Sequence, residues 1–208
     1  MKQVSILLLS SFLLFSCAPA EQPSGTEVVH VYATFAAQPW LTELYACAAD
    51  LSVVLNVNAD GPDIYLRVGE PEVFISPVYQ IDEEEILIVT NRESSIQNLS
   101  LEEAQDLFAR GDPSAQVWVY ASGEDVQIVF DQLVMEGRNV TSLAKMATSP
   151  QQMSDLVNLE KDAVGIIPRH WKVGTVRDVF SAGFIPVLAV TKEEPSGTVM
   201  DLISCMQN

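Results

Sequence analysis

The stretch VVHVYATFAAQPWLTELYACAAD, residues 28–50, decides how the chain begins to fold. Its first five residues are mostly β-branched, which favours a strand, and the apolar residues of 38–50 recur at the spacing of a helix with one buried face. Pro39 stands where the first turn of a helix tolerates proline. Two more apolar runs follow, at 51–57 and 64–68. This order of strand, helix, strand and strand predicts an α/β unit whose sheet is covered on both faces.

The same alternation continues to the end of the chain. Ser100 followed by Glu103 fits a capping box, and Ser149-Pro150 places a proline at a first helical position. We interpret the acidic run at 82–85 as a solvent-exposed turn, and the turn around His170 as exposed too. The predicted elements are strands at 86–90, 117–121, 163–168 and 185–190, and helices at 101–110, 122–134, 150–157 and 195–206.

The composition excludes several classes of function. The chain has 11 Lys and Arg against 28 Asp and Glu, and its formal net charge of −17 opposes nucleic-acid binding, which needs a basic surface. The only histidines, His30 and His170, are far apart in sequence, so we expect no metal site. The residues around Ser122 do not form a nucleophile elbow, and no carboxylate pair stands out. We therefore expect neither catalytic activity nor a cofactor.

The N-terminus carries an export signal. Residues 6–15, ILLLSSFLLF, form an apolar run that is too short to span a membrane as a mature helix. The run ends in Leu14-Phe15-Ser16-Cys17, which resembles the bacterial lipobox. That resemblance implies a signal peptide at 1–16, cleavage before Cys17, and a lipid on the Cys17 thiol that anchors the protein to the outer face of the bacterial cell membrane. The alternative is a secretory signal cut near residues 18–20. Residues 17–27 are small and polar, which predicts a flexible tether.

Four segments in the rest of the chain resemble the phosphate-type branch of the type 2 periplasmic-binding proteins, the substrate-binding proteins of ABC importers. In chain order they are Asn98-Leu99-Ser100 with Phe108-Ala109-Arg110-Gly111, Ser122-Gly123 with Val129-Phe130, residues 149–157, and Ala163-Val164-Gly165-Ile166-Ile167-Pro168. The resemblance implies an α/β fold of two lobes, each a sheet covered by helices. It also implies a small solute, phosphate or a similar oxyanion, bound between the lobes, and an ABC permease as partner.

The lobe boundaries follow from the same comparison. We predict that the chain crosses between lobes near 86–90 and returns near 185–190. Lobe one then comprises residues 28–88 and 185–208, and lobe two comprises residues 89–184. Because the chain is short for this family, the first lobe is expected to be reduced.

Both lobes contribute candidate ligand-binding residues. They are Thr34, Phe35, Arg67 and Tyr79 from the first lobe, and Ser122, Gly123 and Glu124 from the second. The Arg67 guanidinium could hold a carboxylate or phosphate with two hydrogen bonds, although an ion pair with Glu70 or the acidic run is the alternative. The residues after Gly123 are Glu124 and Asp125, where the family has a hydroxyl. The segment is therefore open to two other roles, a simple helix cap or a contact to a cationic ligand.

The remaining cysteines form a candidate disulfide. With Cys17 lipidated, Cys47 and Cys205 are left as a pair in an oxidising compartment. The lobe boundaries place their two helices on the same lobe, so we predict a bond between them, with two separately buried thiols as the alternative.

These observations predict an exported, lipid-anchored substrate-binding protein of an ABC importer. The alternative is a sensor or interaction lipoprotein that has the same fold and no small-molecule ligand. A cleft lined by aromatic and polar side chains would favour the first function, and a cleft filled by apolar side chains would favour the second.

Overall fold

The computed structural model of this protein describes residues 27–71 and 76–207. The signal segment at 1–16 and Cys17 lie outside the described residues. Within the described ranges, no helix is long and apolar enough to cross a membrane. The strands are β1 Val28–Ala33, β2 Val54–Val57, β3 Ile64–Val68, β4 Val78–Thr90, β5 Gln116–Val119, β6 Lys145–Met146, β7 Ala163–Pro168 and β8 Arg177–Val190; the helices are α1 Leu41–Asp50, α2 Leu101–Arg110, α3 Asp125–Phe130, α4 Pro150–Leu159 and α5 Thr198–Met206.

The strands form one mixed sheet in the order β2-β1-β3-β8-β4-β7-β5-β6. The long strands β4 and β8 run antiparallel to each other in the middle, and three register shifts interrupt their pairing. The last residues of β8 also pair with β3, and the last residues of β4 also pair with β7. The two strands therefore join a first half, built from β1–β3, α1 and α5, to a second half, built from β5–β7 and α2–α4.

The first half is covered by helices on one face. Alternate residues of β1 and β3, among them Val31 and Leu66, are fully buried on that face, and α1 packs against α5. The opposite face carries partly exposed side chains such as Tyr32 and Tyr65. The expected cover on both faces is thus not met here, because only residues 69–77 connect β3 to β4.

The second half follows the sequence patterns closely. All six residues of β7 are buried, as the apolar run predicted. The capping box at the start of α2 is confirmed: the Ser100 hydroxyl accepts a hydrogen bond from the Glu103 amide, and the Glu103 carboxylate accepts one from the Ser100 amide at 2.7 Å. Such a cap satisfies backbone groups that the helix itself leaves unpaired.

The predicted Cys47–Cys205 disulfide is confirmed. The two sulfur atoms are 2.02 Å apart, the Cα atoms are 5.9 Å apart, and the bond fastens α5 to α1. The Thr198 hydroxyl at the start of α5 also donates a hydrogen bond to the Glu27 carboxylate at 2.5 Å. The last helix therefore lies beside the first. The lobe boundaries 28–88, 89–184 and 185–208 stay a prediction.

The acidic run at 82–85 is not an exposed turn, and that prediction was wrong. It lies inside β4, where Glu84 and Glu85 are only 1% and 9% exposed. The Arg169 Nε atom is 2.5 Å from a Glu85 oxygen, and the His170 Nδ1 atom is 3.0 Å from a Glu84 oxygen. We call Glu84 and Glu85 the β4 acidic pair. The sequence did not show their burial because both partners lie more than 80 residues further along the chain.

Candidate functional site

A cavity of about 220 Å³ lies where the ends of β1 and β3 meet the start of α3. The structure brings five of the predicted ligand-binding residues to its wall: Thr34, Phe35, Arg67, Gly123 and Glu124. Tyr32, Tyr65, Asp125 and Ile128 complete the lining. The lining therefore combines three aromatic rings with polar and charged side chains, which is the composition that the sequence analysis took to favour binding over a scaffold role.

Asp125 bridges the two halves beside this cavity. One of its carboxylate oxygens accepts a hydrogen bond from the Thr34 hydroxyl at 2.5 Å and another from the Val68 amide at 2.9 Å. The other oxygen accepts one from the Val126 amide at 2.9 Å. The side chain is buried, so these three neutral donors supply the hydrogen bonds that a buried carboxylate requires.

Close packing holds the start of α3 in this position. Gly69 directly follows β3 in a left-handed conformation with φ +76°, and a Cβ atom placed on it would lie 2.4 Å from a methyl carbon of Val129. Only glycine fits both the conformation and the space. In the preceding turn, the buried Gln127 side chain accepts a hydrogen bond from the Tyr120 amide at 2.9 Å. The wall formed by Gly123 and Glu124 is therefore fixed at both of its ends.

Arg67 enters the cavity without a carboxylate partner. Its Nη2 atom donates a long hydrogen bond, 3.4 Å, to the main-chain oxygen of Glu70. Its Nε atom is buried and has no hydrogen-bond partner among the described residues. Apart from the long bond to Glu70, the guanidinium has no partner among the described residues, so an acceptor that enters the cavity can form hydrogen bonds with it.

Glu124 is the second charged group with an open side. Within residues 27–71 and 76–207, its carboxylate takes part in no hydrogen bond or ion pair. Burial raises the pKa of Glu124, and the neighbouring charge of Asp125 raises it further. Both causes disfavour the ionised form. A cation beside the carboxylate would favour that form and lower the pKa.

Two tyrosines that the sequence analysis did not select form one wall of the site. The rings of Tyr32 and Tyr65 stack with their centroids 5.7 Å apart and their planes 8° from parallel. The two residues are register partners in the parallel pair of β1 and β3. Because side chains alternate along a strand, Tyr32 shares a face with Thr34, and Tyr65 shares a face with Arg67. That period of two was the signal that could have identified them.

Two predicted residues lie away from the cavity. Tyr79 pairs with Ala189 in the sheet, and Ala189 pairs with Leu66, so Tyr79 shares the helix-covered face of Leu66 rather than the face of Arg67. Its hydroxyl donates a hydrogen bond to Glu194 at 2.8 Å. Ser122 is exposed at the outer corner of its turn and lines a different groove, together with Asp131 and Gln132.

Among the cavities larger than this one, two of about 540 and 610 Å³ lie at the far end of the second half around Arg110 and Asp112. They are broad surface grooves beside α2. Asp106 already pairs with Arg110 there, and Arg138 also contacts Asp106. We therefore place the candidate site in the smaller cavity, where charged groups converge without partners.

A second contact between the halves supports the loop that carries Thr34 and Phe35. The Trp171 indole donates a hydrogen bond to the Ala36 oxygen at 3.0 Å. The His170 ring packs against Trp40, with the ring centroids 4.6 Å apart. The loop after β1 is thus held by the second half from two sides, at Asp125 and at Trp171.

The fold is shared with solved structures of two kinds. A protein from Clostridium perfringens, assigned as a phosphate ABC transporter substrate-binding protein and solved with bound phosphate, has a TM-score of 0.77 at 16% identity, over 86% of this chain and 93% of its own. An ABC-type phosphate transport receptor from Vibrio cholerae has a TM-score of 0.64 at 13% identity, with the same two coverages, 86% and 93%. A sulfate-bound variant of the OxyR2 regulatory domain from Vibrio vulnificus has a TM-score of 0.65 at 11% identity, over 90% of this chain and 98% of its own.

No family model matches the sequence, and no curated protein matches it. At these identities the likeness shows the fold alone. Substrate-binding proteins and regulatory domains both appear among these structures, so the fold leaves the role open between them. The chain has the mixed α/β fold of the type 2 periplasmic-binding proteins.

Proposed function

We propose that this chain is an extracytoplasmic substrate-binding protein of an ABC importer, and that it binds a small solute in the cavity beside Arg67 and Glu124. The observation that carries the proposal is the cavity lined by aromatic and charged side chains, in which the Arg67 guanidinium has no carboxylate partner among the described residues. The site lies at strand ends of an α/β sheet, where ligands of such folds bind. The likeness to two phosphate-transport proteins adds support. The chain has no catalytic role.

A ligand screen tests this function. Thermal unfolding of the mature protein is recorded with phosphate, sulfate, sugars, amines and amino acids, because a ligand that binds only the folded state raises the midpoint. We expect at least one class to raise it, and the Arg67→Gln variant to lose most of the shift if the ligand is anionic. The Arg110→Gln variant, changed at an exposed arginine away from the cavity, is the matched control and should respond like the wild type. No response to any solute would contradict the proposal.

Membrane attachment is the second part of the proposal, and it rests on the Leu14-Phe15-Ser16-Cys17 sequence. We propose that Cys17 carries the lipid and that residues 18–27 tether the folded part to the outer face of the membrane. Expression of Cys17→Ala in a bacterial host should move the protein from the membrane fraction to the soluble fraction. Wild type and variant that fractionate alike would contradict a lipid anchor at this residue.

One observation favours the alternative of a sensor or interaction lipoprotein. Asp125 already joins the halves through Thr34 and Val68, so the protein closes its own site without a ligand. The regulatory domains that share the fold show that the architecture also serves other roles. The ligand screen separates the two functions. A thermal response to at least one solute supports the importer, and no response to any solute supports the alternative.

A further inference from the structure

The donors that would receive an inorganic oxyanion are already taken in this protein. A phosphate or sulfate needs several hydroxyl and amide donors that converge on one point. Beside this cavity the Thr34 hydroxyl and the amides of Val68 and Val126 do converge, but all three donate to the Asp125 carboxylate. The Asp125 carboxylate therefore occupies the position that a bound anion would take. A second anion at the same point would be repelled by this carboxylate and would find no free donor there.

Two groups of opposite charge remain available. Arg67 lines the cavity with a guanidinium whose one hydrogen bond among the described residues is the long bond from Nη2 to Glu70, and Glu124 lines it with a carboxylate that has no partner among those residues. Both line the same cavity of about 220 Å³, which has room for about seven water molecules at ~30 Å³ each. A ligand of a few non-hydrogen atoms is small enough to enter, and it can meet both groups only if it carries both charges.

The aromatic lining suits the positive end of such a ligand. Tyr32, Tyr65 and Phe35 line the cavity together with Glu124. Ammonium groups bind favourably over aromatic faces, and a nearby carboxylate adds an ionic contact. Arg67 suits the negative end, because its planar guanidinium matches a carboxylate with two parallel hydrogen bonds.

We propose that the cavity selects small zwitterions over inorganic oxyanions. Arg67 holds the anionic group of the ligand, and Glu124 with the surrounding rings holds the ammonium group. Asp125 is the residue that excludes phosphate and sulfate. This inference rests on the proposed function, since it names the ligand class of the same cavity.

Calorimetric titration of the mature protein tests the ligand class. The probes are glycine and glycine betaine as zwitterions, acetate and methylammonium as their single-charge halves, and inorganic phosphate and sulfate. We expect at least one zwitterion to bind about tenfold or more tightly than each half and than phosphate, because a charged hydrogen bond is worth about that factor. Glu124→Gln should weaken zwitterion binding about tenfold without changing acetate binding. Glu102→Gln, at an exposed position of α2, is the charge-matched control.

The role of Asp125 is tested by a gain of binding. Asp125→Ser removes the carboxylate and frees the donors of Thr34 and Val68, so the variant should bind inorganic phosphate about tenfold or more tightly than the wild type. Circular dichroism before titration establishes that the variant is folded. Asp125→Asn is the second variant; it keeps the side-chain size, removes the charge and should also gain phosphate affinity. Absence of a gain in phosphate affinity in both folded variants would overturn the role assigned to Asp125.

The outcomes separate this inference from the function on which it rests. Wild-type binding of phosphate or a sugar, with no response to either zwitterion, overturns the zwitterion class and keeps the proposed binding function. Absence of binding by every probe and every solute of the thermal screen overturns both. Zwitterion binding that survives both Glu124→Gln and Arg67→Gln unchanged overturns the assigned site.

Discussion

Two acidic pairs lie at the junction of the two halves, and their surroundings differ. The β4 acidic pair, Glu84 and Glu85, is buried and contacts the His170 ring and the Arg169 guanidinium. The second pair, Glu124 and Asp125, lies at the candidate site and has no cation within ion-pair distance among the described residues. Asp125 accepts hydrogen bonds from neutral donors, and Glu124 is partly exposed and has no protein partner among the described residues. We call these two residues the site acidic pair.

This difference distinguishes charged residues that stabilise the fold from charged residues that are available to a ligand. Glu85 has its cation, Arg169, within the chain, and the contacts of the two glutamates with Arg169 and His170 hold the sheet where the two halves join. Glu124 and Arg67 line one cavity without ion-pair partners among the described residues, which lowers the stability of the protein without ligand. A ligand that pairs with them restores that stability. The first arrangement serves the fold. The second supports the binding function that we propose.

The largest expected effect comes from removing the bridging member of the site acidic pair. Asp125→Ala leaves the Val68 amide and the Thr34 hydroxyl without their acceptor in a buried setting. Because stranded donors and lost charged hydrogen bonds add up, we expect the free energy of unfolding to fall by about 3 kcal/mol. Urea unfolding measures it. A loss below about 1 kcal/mol would show that the bridge contributes little to the fold.

A smaller loss is expected when the β4 acidic pair loses a cation. Arg169→Met leaves Glu85 buried with only the Ser181 hydroxyl, which donates to it at 2.6 Å. Because the Arg169 side chain is half-exposed, we expect a loss of about 2 kcal/mol rather than the ~3–5 kcal/mol of a fully buried pair. Lys161→Met is the control: Lys161 pairs with Glu93 at the surface, where ion pairs contribute little, so this variant should unfold close to the wild type. Equal losses in the two variants would remove the distinction.

The pH dependence of the β4 acidic pair gives a further test. Burial raises the pKa of Glu84 in spite of the nearby His170. A raised pKa in the folded state means that the stability contributed by Glu84 is fully present below its unfolded pKa of about 4.3 and is lost as the pH rises through the folded pKa. The stability of the wild type relative to Glu84→Gln should therefore decline as the pH rises from about 4. Unfolding in urea at several pH values measures the difference, and a rising difference would contradict the burial effect.

The smallest effect on stability is expected at Glu124. Burial and Asp125 raise the pKa of this carboxylate, so its ionised form costs stability at neutral pH. Glu124→Gln removes that cost, and we expect stability at pH 7 to stay equal or to rise slightly. A marked loss would mean that Glu124 has a structural partner and belongs with Glu84 and Glu85. The comparison uses the same urea measurement.

The sequence predicted local structure better than it predicted which charges are buried. The strand at 28–33, the capping box at Ser100 and the Pro150 helix start each depend on neighbours within a few residues. Residues 82–85 were misjudged because a run of acidic side chains resembles a solvated turn until Arg169 and His170 arrive from far along the chain. Contacts between residues so far apart in sequence are tertiary contacts, and local sequence patterns do not contain them.

The candidate site was predicted in part for the same reason. Thr34 and Arg67 stand at strand ends, which a sequence pattern locates. The orientation of Tyr79 depends on how β8 aligns with both β3 and β4, and that register is set by three strands together. Asp125 could be a helix cap or a contact across the molecule, and only the position of Thr34 and Val68 decides between these roles.

The disulfide has a consequence for how the protein withstands proteolysis. Cys47 and Cys205 enclose nearly all of the sheet and both acidic pairs in one covalent loop, with a sequence separation of 158 residues. A single cut anywhere inside this loop divides the chain in two without releasing either fragment, since each fragment retains one of the bonded cysteines. The two fragments would therefore stay linked until the disulfide is reduced. The fragment that carries the N-terminal segment would remain bonded to the other fragment.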